Sequence, residues 1–408
     1  MSASRVAGDE GSPESVVMLL SNPAVNDPRV QKEARALASA GYRVTVVAWD
    51  RLCDAKTVEE VDGYRVERIR VRSTYGEGLF QAPALLTYCL RTAPVLRRLS
   101  PSVIHCHDLE TLPLGLVTSR LLGSRLVFDA HEPHYFADSR RLRWLATWIG
   151  RMTERAFAPM ADAVLVTNDY QASKYESMKV SSLTVVANYP ETNLVDGVGS
   201  SGGHGGDRAS LTIGRVGALY YDMGIEELLE AYVVLADEVP GLKLMLAGQT
   251  TDAYRNALMR SAGPLRGDIR ISGGYRYDEL PALYRALDVC VLPQKKTLWF
   301  EHITPTKFFE ALCFAKPVVT TDVGGIGKVV VEEGCGAVMD EVTADSICAA
   351  LRPILKNADI RRSMGLRGLE AVKKRYNWSA SVTSLLRAYD GVLEGAGGTG
   401  VARPVRAT

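Results

Sequence analysis

The chain has 408 residues, 47% of them apolar and 23% charged, an ordinary globular composition that excludes a disordered or fibrous chain. Its formal net charge of +1 gives no global attraction for polyanions, so nucleic acid is not expected as a partner. At about 100–200 residues per domain, the length predicts two or three domains.

Met1 to Glu14 is small and polar, without the charged start and apolar core of a signal peptide. The apolar runs all fall short of the roughly 18 residues that span a bilayer, so a cytoplasmic protein is expected. Val16-Val17-Met18-Leu19-Leu20 reads as a buried strand, Val30 to Ala40 as a helix stopped by Gly41, and Tyr42 to Ala48 as the next strand. Strand, helix and strand in so short a stretch predict parallel pairing. Further strands are expected at Val103–His107, Arg125–Asp129, Ala163–Val166 and Leu183–Val186, and in the second half at Leu211–Ile213, Leu242–Ala247, Ile269–Ile271, Val289–Leu292 and Pro317–Thr320. Helical stretches separate them, notably Ile225 to Leu235 and Asp278 to Ala286. The glycine-rich tract around Asp196 to Asp207 divides two halves of similar α/β grammar.

Seven cysteines, at 53, 89, 106, 290, 313, 335 and 348, form no CxxC pair and read as buried reduced thiols. Between 140 and 155 a predicted helix carries Arg140, Arg141, Arg143, Trp144, Trp148, Arg151 and Arg155. Leu142, Leu145, Ile149, Met152 and Ala156 are assigned to its core face. The basic and tryptophan face reads either as a solvated surface or as a peripheral contact with anionic lipid at the inner face of a membrane.

Several pieces then occur in a familiar order. They are Asn26-Asp27-Pro28-Arg29-Val30, Asp129-Ala130-His131-Glu132, Val186-Ala187-Asn188, Gly217 with Met223-Gly224-Ile225, Pro305-Thr306-Lys307-Phe308-Phe309-Glu310, Gly324-Gly325, and a closing helix after Trp378. From about 15 to 393 the chain resembles the retaining glycosyltransferases of family 4. The resemblance implies an α/β chain of GT-B fold, with two Rossmann-like doubly wound domains facing a central cleft. Its division here would be an acceptor domain at 15–191, a linker at 192–209, a donor domain at 210–377, a closing helix at 378–394 returning to the first domain, and a disordered tail at 395–408.

The implied partner is a nucleotide-diphosphate sugar, with no cofactor and no obligatory metal; the acceptor stays open among lipids, polysaccharides and small metabolites. Glu310 is expected to accept from the ribose hydroxyls of the donor. Lys307, one turn earlier, is expected against the diphosphate, whose charge grows during transfer. Thr306, Gly217, Gly324 and Gly325 complete the expected donor site. His131, at a strand end, is placed near the reacting centre, where it positions sugar or acceptor. The family's usual first glutamate falls on His302, so His302 is the second catalytic candidate. Asp27, Arg29 and Asp108 are acceptor-side candidates, although Asp27-Pro28 is also ordinary turn chemistry. His105 and His107 share one strand face, and with His131 and His134 they raise a metal site. The spacing is not a zinc signature, and none is expected.

One departure bears on activity. The family usually has a cation after the first loop glycine and another before the last; here those places hold Ala218 and Met223. Arg215 falls inside the strand with its direction open, and Lys307 or Arg276 are the candidates to compensate. Two unreplaced cations would cost about 1.5–3 kcal/mol each. The alternatives to a transferase are therefore a catalytically silent GT-B protein that binds sugar or supports a partner, and a GT-B epimerase or phosphorylase.

Overall fold

The computed structural model describes residues 13–25, 27–74, 81–131, 143–191, 194, 210–263, 268–395 and 401–402. The chain forms two compact units. Among the described residues, the first comprises those within 13–166, 172–185 and 382–402, and the second those within 167–171 and 186–381.

The first unit is built on a nine-stranded sheet. In chain order its strands are β1 (Ser15–Leu20), β2 (Arg43–Asp50), β3 (Val58–Val61), β4 (Tyr64–Arg70), β5 (Val103–His107), β6 (Arg125–Ala130), β7 (Ala163–Val166), β8 (Leu183–Val185) and, last of the whole chain, β15 (Val401–Ala402). The spatial order is β15-β8-β7-β6-β5-β1-β2-β4-β3, parallel throughout except for the β3–β4 hairpin. Helices α1 (Pro28–Ser39), α2 (Ala82–Leu99), α3 (Leu112–Leu122) and α4 (Arg143–Phe157) belong to this unit. Strand β1 is buried along its whole length, as expected of a central parallel strand covered on both faces. The core is anchored by Trp49 stacked on Tyr88 at 5.1 Å. Their polar atoms are satisfied inside it: Trp49 Nε1 donates to Val71 O at 2.7 Å and Tyr88 Oη to Leu20 O at 3.0 Å.

The second unit holds β9 (Thr212–Val216), β10 (Lys243–Ala247), β11 (Ile269–Ser272), β12 (Val289–Leu292), β13 (Val318–Thr321) and β14 (Gly336–Met339). Their order, β11-β10-β9-β12-β13-β14, is 3-2-1-4-5-6 in the unit's own count, all parallel. This is the order of a doubly wound nucleotide-binding sheet, whose switch point lies between the first and fourth strands, here β9 and β12. Its helices are α6 (Ile225–Glu238), α7 (Asp252–Ser261), α8 (Leu280–Ala286), α9 (Leu298–His302), α10 (Thr306–Cys313), α11 (Ile326–Glu333), α12 (Ala344–Lys356) and α13 (Ala358–Lys374). Helices α5 (Asp169–Ser177) and α14 (Trp378–Leu393) are shared between the two units.

Some expectations change. Strands β3, β4 and β14 were not read from the sequence. On α4, Ile149, Met152 and Ala156, assigned to the core, are exposed, as are Trp144 (72%) and Trp148 (57%); among the described residues of that helix the buried side chain is Glu154. Glu154 faces inward because the Tyr175 hydroxyl and, at 2.7 Å, Lys174 Nζ bind its carboxylate. In the tail expected to be disordered, Val401–Ala402 pair with Leu183–Thr184. The expected linker 192–209, apart from Leu194, lies outside the described residues, as do Arg140, Arg141, Leu142, Glu132 and His134. All seven cysteines are free; Cys53 and Cys89 are half-buried and the rest buried. No helix among the described residues is long and apolar enough to cross a membrane.

Candidate functional site

Two clusters of polar side chains stand out, one in each unit. In the first unit, α1 begins with Asp27 as N-cap and Pro28 in its first turn; Asp27 accepts from Val30 N at 3.2 Å and from Asn22 Nδ2 at 2.8 Å. The turn-chemistry reading of Asp27 thus accounts for its carboxylate. The cap fixes α1 so that Arg29 and Glu33, one turn apart, both face inward. Arg29 grips Asp129 through two 2.7 Å bonds and lies 3.1 Å from Glu33. Arg29, expected towards an acceptor, is turned into the core, because Asp129 and Glu33 are wholly buried there and need its charge.

Asp129 sits near the end of β6 and His131 directly after that strand. His131 Nδ1 is 3.2 Å from Asp129 and 3.6 Å from Asp108, and His107 Nδ1 is 3.2 Å from Asp129. Asp108 follows β5 with φ of +67°, a left-handed conformation that aspartate adopts more readily than most residues. The stacked rings of His105 and His107 point Nε2 atoms at Glu33 Oε2, at 3.9 and 4.0 Å, and the Tyr389 hydroxyl of α14 meets His105 Nδ1 at 2.8 Å.

Electrostatics divides this cluster. Burial drives His105 well below its ordinary value and Glu33 above its own. Burial also opposes charge on Asp129, but Arg29 and His131 outweigh it and hold that carboxyl well below the usual range. Burial pushes His131 down, yet Asp108 and Asp129 overcome it and raise the ring to about 10. His131 is therefore an imidazolium at neutral pH, a hydrogen-bond donor rather than a base. Glu33, His105, His107 and Asp129 also place one ligand atom each within 4.8 Å of one another, the geometry of a metal-binding group. Arg29 already supplies positive charge to both carboxylates of that set.

In the second unit, α10 opens with Thr306, and its first turn brings Lys307 and Glu310 together. Lys307 Nζ donates to both Glu310 oxygens at 2.9 Å. Tyr284 of α8 donates to Glu310 Oε2 at 3.2 Å. Glu310 is 7% exposed, and Tyr284 stacks on Phe314 at 5.2 Å, which fixes the phenol that orients the carboxylate. Burial lowers the Lys307 pKa, but Glu310 outweighs it and the net shift is upward.

Gly217, just past β9, lies against Lys307: a Cβ there would stand 3.2 Å from Lys307 Cγ. At the loop's far end Gly224 caps α6 at φ +65°, where a Cβ would fall 2.0 Å from Pro293 O, so only glycine fits. Gly324 and Gly325 (φ +58° and +79°) precede α11. His302 ends α9, its ring edge-to-face with Tyr170 at 4.8 Å and its carbonyl 3.3 Å from Asn168 Nδ2.

The structure thus brings His131 to Asp108 and Lys307 to Glu310 and Gly217. The sequence alone assigns none of Glu33, Asp129, Tyr284 and Tyr389 to a site. The alternation His105-x-His107 flagged one face of β5, but the residues completing the cluster come from distant elements.

Residues 27–189 match the Glycosyl transferase 4-like domain family and residues 205–370 the Glycosyl transferases group 1 family. The phosphatidyl-myo-inositol mannosyltransferase of Mycolicibacterium smegmatis is 26% identical over 229 residues, 54% of this chain and 53% of that protein. The chain spans about half the length of the first curated relatives it matches. Among solved structures, a sucrose-phosphate synthase from Thermosynechococcus elongatus superposes with a TM-score of 0.74 at 19% identity, covering 94% of this chain and 100% of that one. The Anabaena HepE protein, solved in complex with UDP and glucose, superposes with a TM-score of 0.65 at 14% identity, covering 92% and 99%. These likenesses give the fold as GT-B.

Proposed function

The chain belongs to the family 4-like glycosyltransferases of GT-B fold, and on that premise we propose that it transfers a sugar from a nucleoside-diphosphate donor to an acceptor hydroxyl with retention of configuration. The observation that carries this reading is the Lys307–Glu310–Tyr284 group beside Gly217 at the carboxyl end of β9, where doubly wound sheets bind nucleotides. A carboxylate offers about four acceptor positions. Lys307 and Tyr284 use three of them. Donor binding exchanges that ion pair: the ribose diol takes Glu310, and Lys307 turns to the diphosphate.

In the reaction, the bond from the anomeric carbon to the diphosphate oxygen breaks and its electrons leave with the phosphate. The acceptor oxygen forms the new glycosidic bond and its proton passes to the departing phosphate oxygen. No protein nucleophile is needed. In the first unit His131, charged and held by Asp108 and Asp129, is a hydrogen-bond donor suited to fixing a hydroxyl of the acceptor. HepE, of the same fold, is described with UDP and glucose, which makes uridine donors the first to try.

The test is release of nucleoside diphosphate from a panel of nucleotide sugars without acceptor. The wild type should hydrolyse one donor slowly. Glu310→Gln should bind that donor roughly 10–100-fold more weakly, on the scale of about 1.5–3 kcal/mol for a charged hydrogen bond. No hydrolysis and no binding with any donor would leave the silent sugar-binding protein as the better reading.

A further inference from the structure

Arg215 stands in β9, two residues before Gly217, and is 2% exposed. Its side chain runs towards the carboxyl end of the strand. Nε points at Ala218 O at 3.4 Å, and Nη2 at Met223 Sδ at 2.8 Å. Nη1 is enclosed and has no hydrogen-bond partner, and among the described residues no carboxylate pairs with this guanidinium. A buried charge ordinarily has a counter-charge, because desolvation is otherwise uncompensated.

Three other cations of this unit have one. Lys307 holds Glu310 at 2.9 Å, Lys295 holds Glu227 at 2.9 Å, and the exposed Arg276 holds Asp278 at 2.8 Å. Burial draws the pKa of Arg215 down to about 10, the direction of a cation lacking its anion. On Arg29, equally enclosed, Asp129 and Glu33 overcome the same burial and raise it. Arg215 and Lys307 both act on Tyr275, which places the two cations in one field. The orphaned head group therefore lies at the switch-point end of β9, inside the loop that lacks cations at Ala218 and Met223.

We propose that Arg215 is the anchoring cation for the donor's diphosphate, reaching the loop from inside the strand and replacing the two cations missing from it. This rests on the donor reading above. The anion completes a guanidinium that the protein leaves unpaired, with Lys307 as the second contact once Glu310 has turned to the ribose.

Calorimetric titration of wild type, Arg215→Met and Arg215→Lys tests it, with three probes: inorganic pyrophosphate, the nucleoside diphosphate, and the nucleoside alone. Methionine keeps the length and packing and removes the charge. Arg215→Met should weaken pyrophosphate and nucleoside diphosphate at least 10-fold and change nucleoside binding less than 2-fold. Its melting midpoint without ligand should match or exceed wild type, and Arg215→Lys should recover part of the affinity. Equal diphosphate affinity in wild type and Arg215→Met, or equal losses for nucleoside and diphosphate, would overturn the proposal. If Arg215→Met melts much lower, Arg215→Lys decides: lysine binding no better than methionine counts against an anion contact. Wild type that binds pyrophosphate through Arg215 but no nucleotide would keep the anion site and remove the donor reading.

Discussion

Replacing Arg29 with methionine should unfold the first unit at a markedly lower temperature. The side chain makes two 2.7 Å bonds to Asp129 and lies 3.1 Å from Glu33, and neither carboxylate reaches solvent. Methionine fills similar volume, so the lost quantity is the compensation of the buried Asp129 carboxylate, roughly 3–5 kcal/mol for breaking a buried pair. For a domain of about 150–250 residues this lowers the midpoint by on the order of 10 °C. Differential scanning calorimetry at several pH values is the assay. The folded-state pKa of Asp129 is depressed, so its contribution is present above the ordinary aspartate value near 4 and is lost as pH falls through the folded value. The gap between variant and wild type should therefore narrow in acid. A loss below about 1 kcal/mol at pH 7 would mean that Arg29 is not the cation holding this cluster together.

His131→Gln carries the opposite pH signature. Its folded pKa is raised to about 10, so its contribution is complete below the unfolded value near 6.5 and disappears as pH rises through 10. The stability difference from wild type, at most about 5 kcal/mol at about 1.4 per pKa unit, should shrink between pH 6.5 and 10 in denaturant titrations; a difference independent of pH would mean that His131 is not an imidazolium. Gly224→Ala should cost at least about 2 kcal/mol, because its φ is +65° and the new methyl would meet Pro293 O at 2.0 Å and Val342 Cγ1 at 2.7 Å. A melting midpoint within 1 °C of wild type would show that the loop closes differently.

Much of the architecture was legible because parallel strands buried on both faces leave unbroken apolar runs, as in Val16 to Leu20. The β3–β4 hairpin was not legible for a specific reason. Its inward positions include Arg68, 3% exposed, whose guanidinium donates to Pro23 O at 2.6 Å and Lys56 O at 2.8 Å. A charged residue bonded to backbone carbonyls breaks the apolar alternation that marks a strand. The α4 face was misassigned because its inward position is Glu154, satisfied by Tyr175 and Lys174, while Ile149 and Met152 face out. Helical periodicity cannot detect a buried carboxylate with distant partners.

The contact between Lys307 and Glu310 was legible because the two residues are one turn apart on one helix. Glu33 and Asp129 lie on different elements, and Tyr389 comes from α14 near the other end of the chain, so only the fold brings them to His105 and His107. Arg215 lies between: the register of the glycine loop placed it in the strand, but a long side chain decides its own destination. Its arrival at Ala218 and Met223 is a packing result.

The proposed transfer requires a nucleoside diphosphate at the Lys307–Glu310 site. Thermal stabilisation by a panel of nucleoside diphosphates and their sugars, at about 100 times the dissociation constant, measures that occupancy. One nucleotide should stabilise the wild type by roughly 2.7 kcal/mol, with the shift largely lost in Glu310→Ala. A shift that survives in Glu310→Ala, or none with any nucleotide, would mean that no nucleoside diphosphate binds through Glu310.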